Sequence, residues 1–361
     1  MRKISVATRF GQYTVSVGSG ILGSLSKQMP ARGQIFILTS HEIWKLWGEH
    51  LRASLAPKDP TVLFLPAGES HKRLTQVERL VTEMSKARGD RSSVLIAFGG
   101  GVTGDVGGFV SAIYMRGIEY IQIPTTLLAQ VDSSVGGKTG VNLRTGKNLV
   151  GCFYPPQHVI ADIGLLSTLP QRELRAGLYE SVKAGLIRDV ALFRFIEKNR
   201  EPLDQGDPAA LEKMVATSIR IKADVVGQDE HELGVRMILN FGHTLGHAIE
   251  AATDYRALLH GEAIAWGMLA ALELSRQRNL LTQDELQRAQ NLILYFQPPP
   301  LPAIRPKRLL QIASGDKKNR AGIRRFVLLQ GLGNATVVED VSDAEVLTAL
   351  ESTRLLCESR K

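Results

Sequence analysis

The chain contains 361 residues with a formal net charge of +8, and 44% of the residues are hydrophobic. This composition is typical of globular proteins, and the length favours two domains. We find no apolar signal core near the start and no run long enough to cross a bilayer, so we expect a cytoplasmic protein without a membrane partner. The two cysteines, Cys152 and Cys357, form no Cys-x-x-Cys pair, which argues against a thiolate-bound metal and favours a reducing compartment.

The positive charge permits two kinds of partner, nucleic acid or anionic small molecules. The sequence contains no helix-turn-helix signature, no zinc knuckle and no basic strand rich in aromatic residues. We therefore expect no nucleic-acid partner, and we interpret the charge as a means of collecting anionic substrates.

The first half of the chain alternates predicted strands with predicted helices, as α/β domains do. Residues 4–17 predict a strand pair that turns near Phe10. The segment Gly18-Ser-Gly-Ile-Leu-Gly23 matches G-x-G-x-x-G, but no compact apolar strand precedes it, so we interpret it as a turn into a helix. Later strands are predicted at 34–39, 61–65, 93–98, 120–126 and 158–163, with helices through Trp44 and Leu51 and up to Ala87.

A second glycine cluster, residues 99–108, follows an apolar strand and precedes a helix. Glycines let the backbone approach a pyrophosphate, and a helix N-terminus favours its negative charge. This context favours dinucleotide binding over a plain strand-to-helix turn. Residues 133–148 are also rich in glycine and carry basic side chains, which indicates a phosphate-rich cleft. A Walker A loop is excluded there because Asp132 stands where its first glycine must be.

Helical spacing dominates after Pro170, so we place a domain boundary there. The proline-rich run 298–302 predicts a linker or rigid loop. Helices are predicted over 171–188, 209–228, 235–252, 262–276 and 283–294, and a short strand pair over 325–329 and 335–339.

The most informative stretch of the second half is Asn240-Phe-Gly-His-Thr-Leu-Gly-His-Ala-Ile-Glu250. His243 and His247 lie four apart, so a helix presents both imidazoles on one face, and His260 opens the next predicted helix. Three of the chain's eight histidines within this short span favour a metal site over ordinary core or surface histidines. Thr244 stands where the His-Glu-x-x-His motif needs its glutamate, which excludes a zinc protease of that type.

Several motifs together resemble the 3-dehydroquinate synthase family, and the resemblance runs from about Gly18 to Leu329. The motifs are Gly99-Gly-Gly-Val-Thr-Gly-Asp105, Pro124-Thr-Thr126, Gly136-Gly-Lys138, Gly146-Lys-Asn148, Leu239 to Glu250 and His260-Gly-Glu262. The resemblance implies an α/β N-terminal Rossmann-like NAD-binding domain over residues 1–170, followed by a mainly α-helical metal- and substrate-binding domain over residues 171–361. It also implies a homodimer that uses NAD⁺ and one Zn²⁺ or Co²⁺ per subunit.

Enzymes of this family convert 3-deoxy-D-arabino-heptulosonate 7-phosphate to 3-dehydroquinate and phosphate in the shikimate pathway. The resemblance implies that a bound metal acidifies a substrate hydroxyl and that NAD⁺ takes a hydride and later returns it. Phosphate leaves by β-elimination in between, and the ring then opens and closes again by an intramolecular aldol step. NAD⁺ is regenerated in each turnover and acts as a catalyst.

Carried over position by position, the resemblance implies three groups of site residues. The metal ligands are Glu180, His243 and His260, and two imidazoles with one carboxylate leave open positions, as catalytic sites do. The cofactor-binding residues are Ala67, Gly68, Glu69, Ser70, His71, Lys72, Gly101, Val102, Thr103, Gly104, Asp105, Thr125, Thr126, Lys138, Lys147, Leu165, Leu166, Ser167 and Thr168. The substrate contacts are Asp132, Lys138, Asn148, Lys183, Lys222, Arg236, Asn240, His247, Lys317 and Lys318, and Arg116 matches a residue that reaches the neighbouring subunit's site.

The spacing of Arg236 and Asn240 leads to a further hypothesis about substrate binding. They lie four apart and precede His243 on the predicted helix 235–252, which gives one polar stripe among apolar neighbours. A guanidinium matches a carboxylate in two parallel hydrogen bonds, so we predict that this stripe holds the substrate carboxylate. The alternative is an ordinary surface arginine.

The chain departs from the family at three places. Ala67 stands where the family usually has aspartate in the ribose-binding segment, and His71 stands where tyrosine is common. The segment Tyr179-Glu-Ser-Val-Lys-Ala-Gly185 also differs from the usual sequence, although Glu180 and Lys183 are retained. These departures bear on NAD affinity and on the shape of the cleft.

Two enzyme classes of the same architecture stay open as alternatives. Related sugar-phosphate cyclases share the fold and cofactors but differ at the positions of Arg236, Asn240 and His247, which here match 3-dehydroquinate synthase. Metal-dependent polyol dehydrogenases carry Gly-Gly-Gly-x-x-x-Asp-x-Ala-Lys, whereas Asp105 is followed by Val-Gly-Gly.

Overall fold

The computed structural model describes residues 1–9, 11–29, 33–314 and 324–359. The chain divides into two compact units, Met1–Pro170 with Pro208–Glu230, and Gln171–Asp207 with His231–Lys361. These units differ from the predicted ranges 1–170 and 171–361 in residues 208–230, which belong to the first unit. Helical spacing predicts this helix but cannot predict which unit it packs on. No helix in the described ranges has the length and hydropathy required to cross a membrane.

Up to Pro170, strands alternate with helices. The elements are β1 (Arg2–Thr8), β2 (Gly11–Gly18), β3 (Ile35–Thr39), α1 (His41–Leu55), β4 (Thr61–Phe64), α2 (Leu74–Lys86), β5 (Val94–Gly99), α3 (Gly101–Ile113), β6 (Glu119–Pro124), β7 (Lys138–Leu143), β8 (Gly146–Phe153) and β9 (His158–Asp162). Short 3₁₀ helices follow β2 at Ile21–Gln28 and β9 at Ile163–Thr168, and a π-helical turn occupies Ala129–Ser133.

After Pro170 the chain is mainly helical. The elements are α4 (Gln171–Arg188), α5 (Val190–Lys198), α6 (Arg200–Asp204), α7 (Pro208–Gln228), α8 (His243–Ala252), α9 (His260–Gln277), α10 (Gln283–Tyr295), α11 (Pro306–Ser314), β10 (Phe326–Leu329), β11 (Ala335–Val338) and α12 (Asp343–Glu358). The α/β first unit and the mainly helical second unit confirm the predicted fold class.

The first unit is built on a seven-stranded sheet in the order β1-β2-β9-β6-β5-β3-β4. All neighbours are parallel except β1 and β2, which form the predicted antiparallel pair. The central strand β5 is buried on both faces, as its unbroken apolar run requires. Leu95 and Ala97 pack towards α2 and α3, whereas Ile96 and Phe98 pack towards α1 and the 3₁₀ helix Ile21–Gln28. Helix α7 packs against β1.

Strands β7 and β8 form an antiparallel hairpin that the sequence does not predict. Gly140 lies opposite Gly151, and a Cβ on Gly151 would stand only 2.0 Å from the carbonyl oxygen of Thr139. Glycine in a strand marks such a close backbone approach. Gly140 and the other glycines of residues 133–148 lower the strand propensity of that segment, which explains why the pattern indicates a cleft and not a hairpin.

Helix α9 is the centre of the second unit. Every residue from Gly261 to Ser275 is buried, and the helix packs against α4, α8, α10, α12 and β10. A helix that is buried all round shows no polar face, which is typical of a central core helix. Helix α9 carries one candidate metal ligand, His260, and two of its direct neighbours, α4 and α8, carry the other two.

Candidate active site

Three histidines of the second unit converge on one point. His243 begins α8, His247 lies one turn later, and His260 begins α9. One ring nitrogen of each lies within 4.8 Å of a ring nitrogen of the other two. Glu180 of α4 lies beside them, with Oε1 3.8 Å from Nε2 of both His243 and His260. The structure thus brings the three predicted ligands together and adds His247 as a fourth neighbour.

In His243 and His260, the ring nitrogen that does not face Glu180 lies beside a hydrogen-bond acceptor. His243 Nδ1 lies 3.1 Å from the carbonyl oxygen of Phe241, and His260 Nδ1 lies 3.1 Å from Oε2 of Glu250. A carbonyl or carboxylate oxygen can only accept, so Nδ1 carries the hydrogen and Nε2 keeps the lone pair of the neutral imidazole. Both Nε2 atoms therefore present a lone pair, which can bind a metal ion, on the side that faces Glu180.

Glu180 is a buried carboxylate with 2% of its side chain exposed. Among the described residues, neither of its oxygens accepts a well-oriented hydrogen bond. Lys183, one turn later on α4 and also buried, forms an ion pair in which Nζ lies 2.5 Å from Oε2. Burying a carboxylate is costly unless it is paired or coordinates a metal. Lys183 pairs with Oε2, and Oε1 faces the two imidazoles.

Close helix contacts bring these side chains together. A Cβ on Gly261 would lie 2.0 Å from the carbonyl oxygen of Ala176, so α9 meets α4, which carries Glu180, at a separation that only glycine permits. A Cβ on Gly267 would lie 2.0 Å from the carbonyl oxygen of Gly242, where α8 meets α9. The glycines beside the histidines therefore set the helix spacing on which the cluster depends.

The first turn of α9, which carries His260, is held by Glu262. Its Oε2 accepts from the backbone N–H of Leu259 at 2.7 Å. Arg172 of α4 donates to both oxygens of Glu262, from Nε at 2.6 Å and from Nη2 at 2.8 Å. A carboxylate at a helix N-terminus with a two-pronged arginine partner fixes the backbone of this turn.

The predicted cofactor segments of the first unit all follow the carboxyl ends of parallel strands. Residues 67–72 follow β4, residues 101–105 follow β5, residues 125–126 follow β6 and residues 165–168 follow β9. The carboxyl ends of parallel strands meet at one edge of the sheet, where open α/β sheets bind their ligands. The topology therefore places these four segments along one edge.

Lys72 links this edge to the β7–β8 hairpin. The side chain is 4% exposed, and Nζ donates to Oδ2 of Asp105 and, at 2.5 Å, to Oδ1 of Asn148. Burial raises the pKa of the Asp105 carboxyl, and the ammonium of Lys72 opposes that rise. Lys72 thus contacts a second predicted cofactor residue, Asp105, and a predicted substrate residue, Asn148.

Asp132 and Lys222 form a second cluster in the first unit. Asp132 lies in the π-helical turn and Lys222 on α7, where Nζ donates to Asp132 Oδ1 at 2.6 Å and to its carbonyl oxygen at 2.5 Å. Single π-helical turns are frequent at functional sites. Both residues are predicted substrate contacts, and the fold brings them together from distant parts of the chain.

The hypothesis of a helical stripe from Arg236 to His243 is wrong. Val235–Asn240 is a 3₁₀ helix, and Gly242, with φ of +77°, separates it from α8. The alternative of a surface arginine is also wrong, because Arg236 is 3% exposed. Asn240 Nδ2 donates to Oε1 of Glu232 at 2.5 Å.

The remaining predicted residues occupy varied positions. Lys138 begins β7, Lys147 lies on β8, and Arg116 is exposed in the turn after α3 with φ of +67°. Thr125 is buried, and Thr126 Oγ1 accepts from the backbone N–H of Ala129 at 3.2 Å. Lys317 and Lys318 lie outside the described residues.

Sequence reasoning missed Glu250 as a neighbour of the histidine cluster. It lies seven residues after His243 and three after His247, a spacing that places it on the same side of α8. That spacing is the signal that could have found it.

Comparison with known proteins shows similarity to 3-dehydroquinate synthases along almost the whole chain. Residues 62–176 match the family model for the N-terminal part of 3-dehydroquinate synthase, and residues 177–319 match that for its C-terminal part. The 3-dehydroquinate synthase of Koribacter versatilis (strain Ellin345) is 44% identical over 362 residues, which cover 99% of this chain and 99% of that protein.

Two solved sugar-phosphate cyclases have the same fold. ValA, the 2-epi-5-epi-valiolone synthase of Streptomyces hygroscopicus subsp. jinggangensis 5008 with NAD⁺ and Zn²⁺ bound, has a TM-score of 0.88 at 30% identity, over 98% of this chain and 99% of that one. A 2-deoxy-scyllo-inosose synthase complexed with carbaglucose-6-phosphate, NAD⁺ and Co²⁺ has a TM-score of 0.88 at 28% identity, over 97% and 99%. With both family models matched over residues 62–319, the chain belongs to the 3-dehydroquinate synthase family.

Proposed function

We propose that this chain is a 3-dehydroquinate synthase that uses NAD⁺ and one divalent metal ion, Zn²⁺ or Co²⁺. It converts 3-deoxy-D-arabino-heptulosonate 7-phosphate to 3-dehydroquinate and phosphate. The observation that carries the proposal is the position of Glu180 Oε1, 3.8 Å from Nε2 of both His243 and His260. Family membership supports the reaction, and the two solved cyclases with NAD⁺ and Zn²⁺ or Co²⁺ support the cofactors.

Glu180, His243 and His260 would hold the metal. An ion bound tetrahedrally at about 2.1 Å places its ligand atoms about 3.4 Å apart, so the observed separations need only a small inward movement. A set of His243, His247 and His260 without Glu180 is less suitable, because it leaves a buried carboxylate oxygen beside the ion without a bond to it. When bound, the ion supplies a Lewis acid for substrate hydroxyls. His247 would then contact the substrate and not the ion.

NAD⁺ would occupy the edge formed by residues 67–72, 101–105, 125–126 and 165–168. It supplies a hydride acceptor that is regenerated in each turnover. The backbone N–H groups at the start of α3 would bind the pyrophosphate, because a helix N-terminus favours negative charge. With Ala67 unable to bind a hydroxyl, Glu69 is the carboxylate that this segment retains for the cofactor ribose.

The substrate carries a carboxylate and a phosphate, so cationic and hydrogen-bonding side chains must hold both ends. Arg236, which is 3% exposed, is suited to the carboxylate because a desolvated guanidinium binds it through two hydrogen bonds. The other proposed substrate contacts are Asp132, Lys138, Asn148, Lys183, Lys222, Asn240 and His247, together with Lys317 and Lys318, which lie outside the described residues. The substrate is transiently oxidised, loses phosphate by β-elimination, is reduced again, and closes its carbocycle by an aldol step.

The proposal also includes a homodimer and a cytoplasmic location. Arg116 is exposed, which leaves it accessible to the site of a neighbouring subunit. Sedimentation equilibrium gives the mass of the particle in solution, and a monomer at assay concentrations would contradict the homodimer.

Phosphate release from the heptulosonate phosphate tests the proposed function. We expect release by the purified protein with NAD⁺, loss of release after chelation, and recovery with Zn²⁺ or Co²⁺. Circular dichroism checks that chelation leaves the helices folded. An enzyme of the polyol dehydrogenase type would release no phosphate, and another cyclase would act on a different sugar phosphate.

A further inference from the structure

A single buried amide connects the cofactor segment to the β7–β8 hairpin. Asn142 lies on β7 and is 4% exposed. Its backbone N–H donates to the carbonyl oxygen of Lys72 at 2.8 Å, and its Nδ2 donates to Oε1 of Glu69 at 2.7 Å. Its Oδ1 accepts from the backbone N–H of Asn148 at 2.8 Å. Asn142 thus contacts two proposed cofactor residues and one proposed substrate residue.

The partners fix the orientation of this amide. The carboxylate of Glu69 can only accept, and the backbone N–H of Asn148 can only donate, so Asn142 must present NH₂ to one and oxygen to the other. Aspartate has the same shape but offers no donor to Glu69, and leucine satisfies neither partner. Leaving a buried donor or acceptor without its partner costs about 1–3 kcal/mol.

Asn148 needs this support because of its backbone conformation. Its φ of +52° lies in the left-handed region, which few residues other than glycine adopt and which asparagine adopts with the help of local hydrogen bonds. Asn142 holds its backbone N–H, and Lys72 Nζ holds its side-chain oxygen at 2.5 Å. Both holding residues belong to or contact the cofactor segment 67–72.

We propose that Asn142 is a positioning residue that couples NAD⁺ binding at Glu69 to the placement of Asn148 at the substrate. The inference rests on the proposed function, in which Glu69 binds the cofactor and Asn148 the substrate. Coupling between two binding sites is reciprocal, so a change that disturbs the contact between Glu69 and Asn142 appears in both affinities.

Asn142→Asp tests the coupling because it keeps the acceptor for Asn148 and replaces the donor to Glu69 with a second carboxylate. We expect the Kd for NAD⁺, measured by titration without substrate, to rise about tenfold, and the substrate KM at saturating NAD⁺ to rise about fivefold. The value of kcat should change less than twofold, since Asn142 does not touch the reacting atoms.

The double variant Asn142→Asp with Glu69→Gln reverses the polarity of the same hydrogen bond. The introduced amide donates to the introduced carboxylate, whose other oxygen still accepts from Asn148. We expect the substrate KM to return to within about twofold of wild type, while NAD⁺ binding stays weak because the ribose loses its carboxylate. If Asn142→Asp does not fold, the double variant still carries the test, because it keeps every hydrogen bond.

Asn291→Asp, at an exposed position on α10, is the matched control and should leave both parameters unchanged. A substrate KM that stays high in the double variant would overturn the inference, as would unchanged NAD⁺ affinity in Asn142→Asp. The NAD⁺ titration needs no turnover. A wild-type protein that binds NAD⁺ but releases no phosphate therefore counts against the proposed function, separately from the coupling.

Discussion

Replacing Glu250 with alanine removes the carboxylate that accepts a hydrogen bond from Nδ1 of His260 and so orients the imidazole. Oε2 lies 3.1 Å from Nδ1, and Glu250 is 5% exposed, so water cannot readily take its place. A hydrogen bond to a charged group contributes about 1.5–3 kcal/mol. That range corresponds to a loss of metal affinity of about 10- to 150-fold. Mutating a residue that accepts a hydrogen bond from a metal-bound histidine usually costs about 10- to 100-fold in affinity, which is similar. Glu250→Gln keeps an acceptor oxygen, so we expect a loss of about fivefold.

The assay is a titration of metal-free protein with Co²⁺, followed by visible absorption, and with Zn²⁺ by competition. Glu273→Gln is the matched control, because Glu273 is a carboxylate of the same unit, 8% exposed and paired with Arg276. It lies on α9 more than three helical turns beyond His260, so its loss should leave metal affinity unchanged. Wild-type Co²⁺ affinity in Glu250→Ala would refute the reasoning that orientation of His260 contributes to metal binding.

Three further predictions concern the helix contacts, the substrate carboxylate and pH. Gly261→Ala places a methyl group against the carbonyl oxygen of Ala176, so we expect a loss of about 1–3 kcal/mol in the free energy of unfolding together with weaker Co²⁺ binding, measured by denaturation and titration; unchanged values would show that α4 and α9 can separate freely. Arg236→Lys should reduce the transition-state stabilisation that kcat/KM reports by about 1.5–3 kcal/mol, because lysine offers only a point charge. Metal and NAD⁺ affinity should stay unchanged, and an unchanged kcat/KM would remove Arg236 from the substrate site. Hydrogen bonds from Arg278 and, to a smaller extent, from Ser342 lower the pKa of Glu345 from 4.5 to about 2, so these contacts stabilise the fold above about pH 4.5 and their contribution is lost as the pH falls towards 2. Both side chains are partly exposed, so Glu345→Gln should cost only about 1 kcal/mol at neutral pH, and urea unfolding should show the difference from wild type shrinking on acidification; a constant difference would contradict the assignment.

Much of the fold follows from periodicity because its elements pack in regular ways. The predicted strand 93–98 and the predicted helix 171–188 correspond almost residue for residue to β5 and α4. Each is a continuous element with one regular pattern of apolar residues, and that pattern predicts its bounds. The predicted helix 235–252 fails because Gly242 takes a left-handed conformation, which an apolar pattern does not reveal. The hairpin β7–β8 is hidden because its glycines serve a close backbone approach and carry no strand signal.

The candidate site divides in the same way. His243, His247 and His260 are visible because they lie close in sequence, whereas Glu180 is on a different helix and entered only through the family resemblance. The pair Asp132 and Lys222 is separated by 90 positions, and no local pattern joins them. Asn142 gives no signal at all, because its importance comes from three hydrogen bonds that exist only in the folded chain.

The balance between phosphate, ring product and NADH tests the central claim most directly. The purified protein is given 3-deoxy-D-arabino-heptulosonate 7-phosphate with a catalytic amount of NAD⁺, and all three compounds are followed in one time course. We predict equal amounts of phosphate and 3-dehydroquinate, many turnovers per NAD⁺, and no accumulation of NADH, because hydride is taken and returned within each turnover. NADH that accumulates in proportion to substrate consumed, or phosphate released without 3-dehydroquinate, would contradict the account.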